Sequence, residues 1–116
     1  MTRIGSRGFY GEIDILVLKT LSGGESLHGL AIIDAVRESS GEYLQIDDAA
    51  LYPALHRLHR KGLLKGEWRI SDKKRRAKFY EITPAGRNEL ARALEEWTAH
   101  TRAMGQVLDI QPEDLQ

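Results

Sequence analysis

A mainly α fold with one small β-hairpin is predicted by this sequence: a winged helix-turn-helix followed by a long C-terminal helix. Three observations predict it. Two short apolar-periodic segments are each ended by a Ser/Gly stop, a third amphipathic segment leads into two β-prone runs around a Lys/Arg-rich turn, and Thr83-Pro84 opens a long helical stretch. At 116 residues the chain supports one compact core plus an appended helix. It contains no cysteine, which excludes disulfide frameworks, thiolate metal sites and cysteine nucleophiles.

The divisions follow in order. Residues 1–10 are expected to form a flexible arm, since Met1 to Gly8 offer two glycines, Arg3 and Arg7 but little to bury. Residues 11–83 form the winged helix-turn-helix. In its first helix, Gly11 to Leu21, the residues Ile13, Ile15, Leu16, Val17, Leu18 and Leu21 leave almost no polar face, which predicts burial on most sides. Ser22-Gly23-Gly24 stops it. A second helix is predicted over Leu27 to Val36, with Leu30, Ile33 and Val36 at helical spacing and Ser39-Ser40-Gly41 as its end. In the third, Leu51, Leu55, Leu58 and Gly62 share one face, while Ala49, Pro53, His56 and Arg60 lie opposite, flanked by Tyr52 and Arg57. Asp47 or Asp48 is placed to cap its start and Gly62 to stop it, and Pro53 predicts an irregular first turn.

Glu67-Trp68-Arg69-Ile70 and Lys78-Phe79-Tyr80-Glu81-Ile82 read as the strands of a wing around the turn Ser71 to Ala77, with Trp68 expected in the core. Thr83 and Pro84 supply an N-cap and a first-turn proline to the helix of residues 84–108. Its continuous run is expected to reach about Met104, before Gly105. Along it Leu90, Leu94, Trp97, Thr101, Met104 and Leu108 alternate four-three-four-three-four, the spacing of a coiled-coil seam with one polar position. Three short helices and a hairpin are too small to cover that seam, so dimerisation through these six residues is expected. The acidic tail, residues 109–116, is expected to fray.

Charge is the clearest functional signal. Ten of the seventeen Lys and Arg residues fall between Arg57 and Lys78 against only Glu67 and Asp72, so that window carries net +8 and the remainder −8. Lys73-Lys74-Arg75-Arg76 form a turn of four like charges that repel one another unless a polyanion screens them. These four and Lys78 are assigned to phosphates or minor-groove edges. On the third helix Ala49, Tyr52, Pro53, His56, Arg57, Arg60 and Lys61 form the surface expected to enter a major groove. Arg57 is singled out to read guanine, because a guanidinium matches guanine's paired acceptors. Tyr52 has two readings, a phosphate contact or a ring packed beside the proline. So have His28 and Gly29 at the second helix's start, where exposed amides suit a phosphate but a capping histidine is equally ordinary. The arginines of the arm are possible accessory contacts.

Other chemistries lack support. His56 and His59 stand at a chelating interval, but no third ligand is near in sequence, so no metal is expected. Ser26 and His28 have neither a nucleophile elbow nor an acid partner, and no enzyme and no cofactor are expected. No apolar run is longer than Ile15 to Leu18 and the N-terminus lacks a signal-peptide core, so a soluble cytoplasmic protein without membrane contact is predicted. The competing reading is a winged-helix protein-interaction module, without operator-specific DNA binding, whose basic block meets an acidic partner.

Three segments carry a family resemblance. Leu27-His28-Gly29-Leu30, then Leu51-Tyr52-Pro53-Ala54-Leu55-His56-Arg57-Leu58 with Lys61-Gly62-Leu63, then Lys78-Phe79-Tyr80-Glu81-Ile82-Thr83-Pro84-Ala85-Gly86 resemble the PadR family of bacterial transcriptional regulators. The resemblance runs over about residues 11–104 and is closest to the smaller, short C-terminus subfamily with its multidrug-binding repressors. It implies a homodimeric repressor that responds to a small aromatic or cationic compound, and the two-fold symmetry of such a dimer predicts a pseudo-palindromic operator in double-stranded DNA. It also implies phosphate positioning by Tyr52 and effector stacking by Trp97. A knob packed in the helix seam remains the other reading of Trp97. The glycine that the family often places in the wing loop is absent here.

Overall fold

Asp14 is the one charged residue buried among the apolar side chains of the first helix, α1 (Glu12–Leu21), where Val17, Leu18 and Leu21 have no solvent exposure. The computed structural model describes residues 11–115, so the arm predicted over residues 1–10, with Arg3 and Arg7, lies outside the described residues. Ser22 caps α1, and Gly24 takes a positive φ of 92° to turn the chain away.

Leu27 and His28 do not start the second helix. They form a two-residue strand, β1 (Leu27–His28), and His28 then caps α2 (Gly29–Ser39) by accepting the Ala31 amide on Nδ1 at 3.3 Å. Gly29, Ile32 and Val36 are the buried stripe of α2, and Leu30, predicted to face inward, is exposed. One position of rotation separates the two readings, because both sets have helical spacing.

The third helix, α3 (Asp48–Arg60), buries Leu51, Ala54, Leu55 and Leu58. Asp47 is its N-cap, with no capping hydrogen bond from its side chain; its carbonyl instead accepts the amides of Ala50 and Leu51. The helix is continuous through Pro53, so the expected irregular first turn does not interrupt it; the cost is confined to the Ala49 carbonyl, which loses the amide four residues on. At the other end Gly62 has φ 77°, its amide reaches the His59 carbonyl at 3.0 Å and that of Leu63 reaches Leu58 at 3.0 Å. That pair of bonds closes the helix in a Schellman motif that glycine's left-handed freedom permits.

β2 (Leu64–Ile70) and β3 (Arg76–Ile82) pair antiparallel from Leu64↔Ile82 to Ile70↔Arg76, and β1 adds to the other side of β3 through Leu27↔Tyr80 and His28↔Phe79. The strands are longer than the sequence predicts and the tip correspondingly shorter. Thr83 then ties three elements: its N–H donates to Leu63 O at 3.1 Å, its hydroxyl donates to Gly62 O at 2.7 Å and accepts the Gly86 amide at 3.0 Å. α4 (Pro84–Leu108) passes through Gly105 and ends at Asp109, in the left-handed region at φ 58°. A short 3-10 turn, Pro112–Leu115, follows.

The core gathers α1, α2, α3, the base of the sheet and the first half of α4, including Leu90 and Ala93. Leu90 was expected in the intermolecular seam; it is 6% exposed inside its own subunit. Gly86 fixes how α4 docks, since a Cβ there would stand 2.2 Å from the Leu63 carbonyl oxygen.

Candidate nucleic-acid interface

The outer side of α3 is set by the burial of its leucines. With Leu51, Ala54, Leu55 and Leu58 turned inward, the helical period leaves Ala49, Pro53, His56 and Arg60 exposed, with Lys61 just beyond. Tyr52 is about half exposed, and its hydroxyl lies so near α2 that a Cβ on Gly29 would meet it at 2.8 Å. The ring therefore bridges the two helices of the helix-turn-helix, and Gly29 is the residue that permits the approach. His28 caps α2 and sets its ring edge-on to Phe79 at 5.1 Å. His59 packs edge-on to Tyr80 at 6.3 Å. Burial, with the neighbouring Tyr52 second, pushes the Tyr80 hydroxyl above the ordinary tyrosine range, so it stays protonated at neutral pH.

Arg57 is directed elsewhere than predicted. Its Nε donates to Asp14 Oδ2 at 3.3 Å and its Nη2 donates to Asp14 Oδ1, a two-point ion pair across 43 residues of sequence. In this pose the Nε and Nη2 edge of the guanidinium, which the sequence assigned to guanine readout, faces Asp14. Asp14 itself was passed over in the sequence because the apolar residues around it dominate the pattern of α1.

The wing separates its charges by face. Side chains alternate along each strand and directly opposed residues share a side. One side holds Lys65, Glu67 and Arg69 opposite Glu81, Phe79 and Ala77, and its charges pair internally as Lys65–Glu81 at 3.0 Å and Arg69–Glu67 at 3.4 Å. The other side continues outward from buried Leu64, Tyr80 and Ile82, near α3, and carries Trp68 and Ile70 opposite Lys78 and Arg76, with no acidic residue. Trp68 was expected in the core. It lies on the core-side face but far enough along β2 to be 56% exposed, and the Arg76 guanidinium stands over its ring at 4.8 Å. Lys78, half-buried, similarly lies over Tyr80 at 5.6 Å.

The tip is a three-residue loop, Asp72 to Lys74, closed by Lys74 N–H to Ser71 O and by Ser71 N–H to Arg75 O, both 2.8 Å. Lys74 has φ 60°, the left-handed position such loops usually give to glycine. Lys73, Lys74, Arg75 and Arg76 are all exposed. An exposed helix face and a cationic loop beside it offer two grips on a phosphate backbone, one inside a groove and one outside it.

With this geometry in place, the comparisons with known proteins are decisive. The model of the transcriptional regulator PadR-like family matches residues 17–92, well over half of the chain. The chain belongs to the PadR family. Over 63 residues it is 44% identical to the transcriptional regulator Rv3488 of Mycobacterium tuberculosis, a match spanning 52% of this chain and 58% of that protein. A PadR family transcription regulator from Clostridium difficile is 30% identical and superposes with a TM-score of 0.70, covering 84% of this chain and 99% of the other. A transcriptional regulator from Clostridium thermocellum is 27% identical with a TM-score of 0.71, covering 80% and 89%. The family and the relatives bear the names of transcriptional regulators, and the matched stretch spans little more than half the length of the Mycobacterium tuberculosis protein. Among the described residues no helix is long and apolar enough to cross a membrane.

Proposed function

We propose that this PadR protein is a cytoplasmic homodimeric repressor of a pseudo-palindromic operator, released when a small aromatic or cationic effector enters beside Trp97. The observation that carries this reading is the state of α4 beyond the core. Leu94, Met104, Val107 and Leu108 remain exposed along its second half, and Ile110 follows just after it. Val107, at 83% exposed, was not among the expected seam residues. Stable monomers seldom leave so many apolar side chains in one stretch uncovered, and a two-fold partner placing the same stretch against it covers both.

Trp97 stands at the junction. It is half-buried against the core, sets its ring edge-on to His100 at 6.1 Å, and borders an open groove of about 800 Å³ with Leu94, Thr101 and Gly105. A groove of this volume suits a drug-sized molecule, and an indole face suits a planar or cationic one. In the dimer, α3 of each subunit enters the major groove at half-sites about 34 Å apart, and the wings hold the backbone alongside. Ala49, Tyr52, Pro53, His56, Arg60 and Lys61 are the groove residues in this reading, with Lys73, Lys74, Arg75, Arg76 and Lys78 on phosphates. His28 and Gly29 act at the margin, as cap and as the seat of Tyr52. An effector wedged between the long helices favours a separation of the two α3 helices that DNA does not match.

The test is anisotropy of the purified protein on DNA upstream of its own gene beside a scrambled duplex, repeated with planar aromatic cations that do not themselves bind DNA. Preference for the native duplex, relief by a ligand that quenches tryptophan emission, and loss of that relief in Trp97→Ala are expected. A protein that sediments as a monomer, or whose DNA affinity no bound ligand changes, defeats the corresponding part of the reading.

A further inference from the structure

Arg57 occupies an unusual place among the cations of the basic block. It projects from the flank of α3 beside exposed His56 and Arg60, and its side chain is 41% exposed, yet its guanidinium is held by Asp14 of α1, a residue only 7% exposed. A carboxylate buried at that level is strongly destabilising unless paired, so Arg57 is the group that makes Asp14 tolerable. The converse matters more for DNA. Asp14 neutralises a cation at the border of the groove-entering surface, and its two-point grip fixes where that cation stands.

We infer that Asp14 is a specificity-determining positioning residue: it withholds Arg57 from the phosphates and so lowers the affinity of α3 for DNA of arbitrary sequence. The inference rests on the DNA-binding reading above. Each additional phosphate neutralised tightens binding to every sequence and steepens the dependence of log K on log salt by about 0.9. Sequence-independent affinity works against a regulator that must find one site among a great excess of others, and a buried acid on the neighbouring helix removes one such contact without removing the side chain that packs there.

The experiment compares wild type, Asp14→Asn, Arg57→Gln and the double variant on a short random-sequence duplex, by anisotropy across a salt series, with circular dichroism to verify folding. Asp14→Asn is expected to steepen the salt slope by about one and to bind the random duplex several-fold more tightly at low salt, through the released Arg57. Arg57→Gln is expected to keep the wild-type slope, because its charge is already neutralised, and the double variant to match it. An unchanged slope in Asp14→Asn overturns the proposal, and so does a slope shallower by about one in Arg57→Gln, which would place Arg57 on a phosphate in the wild type. If Arg57→Gln, which leaves Asp14 buried without this partner, does not fold, the Asp14→Asn slope set against that of the double variant decides by the same criterion. Failure of the wild type to bind any duplex at low salt overturns the DNA-binding reading together with this one, whereas wild-type binding leaves the slopes to judge Asp14 by itself.

Discussion

From Pro84 to Ala93, α4 is part of the core; from Leu94 to Leu108 it is a helix whose apolar residues, the half-buried Trp97 excepted, are largely exposed. In the first part Gly86, Leu90 and Ala93 dock against α1, the sheet base and the Leu63 carbonyl, and Arg87 adds a bond from Nη1 to the Ser22 carbonyl at 3.0 Å. In the second part Leu94, Met104, Val107 and Leu108 stay exposed among the described residues. Both parts repeat apolar residues at intervals of three and four. Periodicity marks a face that must be covered, and what covers it is decided by the distance along the helix at which the subunit's own core ends.

The sharpest way to break this contrast is Gly86→Ala. A methyl group 2.2 Å from a backbone oxygen has no side chain to displace, so α4 must lift from Leu63. A loss of roughly 3 kcal/mol or more is expected in chemical denaturation, at the upper end of what overpacking costs. Leu90→Ala follows, at about 2–5 kcal/mol, because it leaves a cavity at a site the chain fills itself. Trp97→Ala, at the joint, is expected to cost about 1–2 kcal/mol, since only part of the ring's burial is lost. Met104→Glu stands at the other extreme. Its effect on the denaturation of a dilute subunit is expected to stay within about 0.5 kcal/mol, as for other surface substitutions, while analytical ultracentrifugation is expected to find the proposed dimer weakened at least tenfold. Equal destabilisation by Leu90→Ala and Met104→Glu at all protein concentrations would erase the distinction between the two halves.

Much of the fold was legible because its punctuation is local. Thr83-Pro84, Gly62 and the Ser22-Gly23-Gly24 stop each act within a few residues of themselves, and all three sit where the sequence places them. The long helix, the hairpin and the outward face of α3 follow from period and composition alone. The departures are long-range or positional. Asp14 and Arg57 lie 43 positions apart, and no local pattern announces that an acid inside an apolar helix needs a partner on another one. Trp68 alternates correctly with its strand, but its exposure depends on how far the wing overshoots the core. Leu30 and Ile32 differ in burial although either fits a helical stripe, and β1 exists only because β3 offers an edge to two residues with no strand signature of their own.

At the wing tip Lys74 occupies a backbone position where glycine would rest without strain, at φ 60°. An L-residue there costs roughly 1 kcal/mol, and Lys74→Gly is therefore expected to raise the melting temperature by a few degrees, while making the salt slope of DNA binding shallower by about 0.9. The loop thus carries a fourth cation at a strained backbone position. On the DNA-binding reading proposed above, backbone ease is exchanged here for grip on a polyanion, and the more thermostable Lys74→Gly variant is expected to hold DNA less tightly.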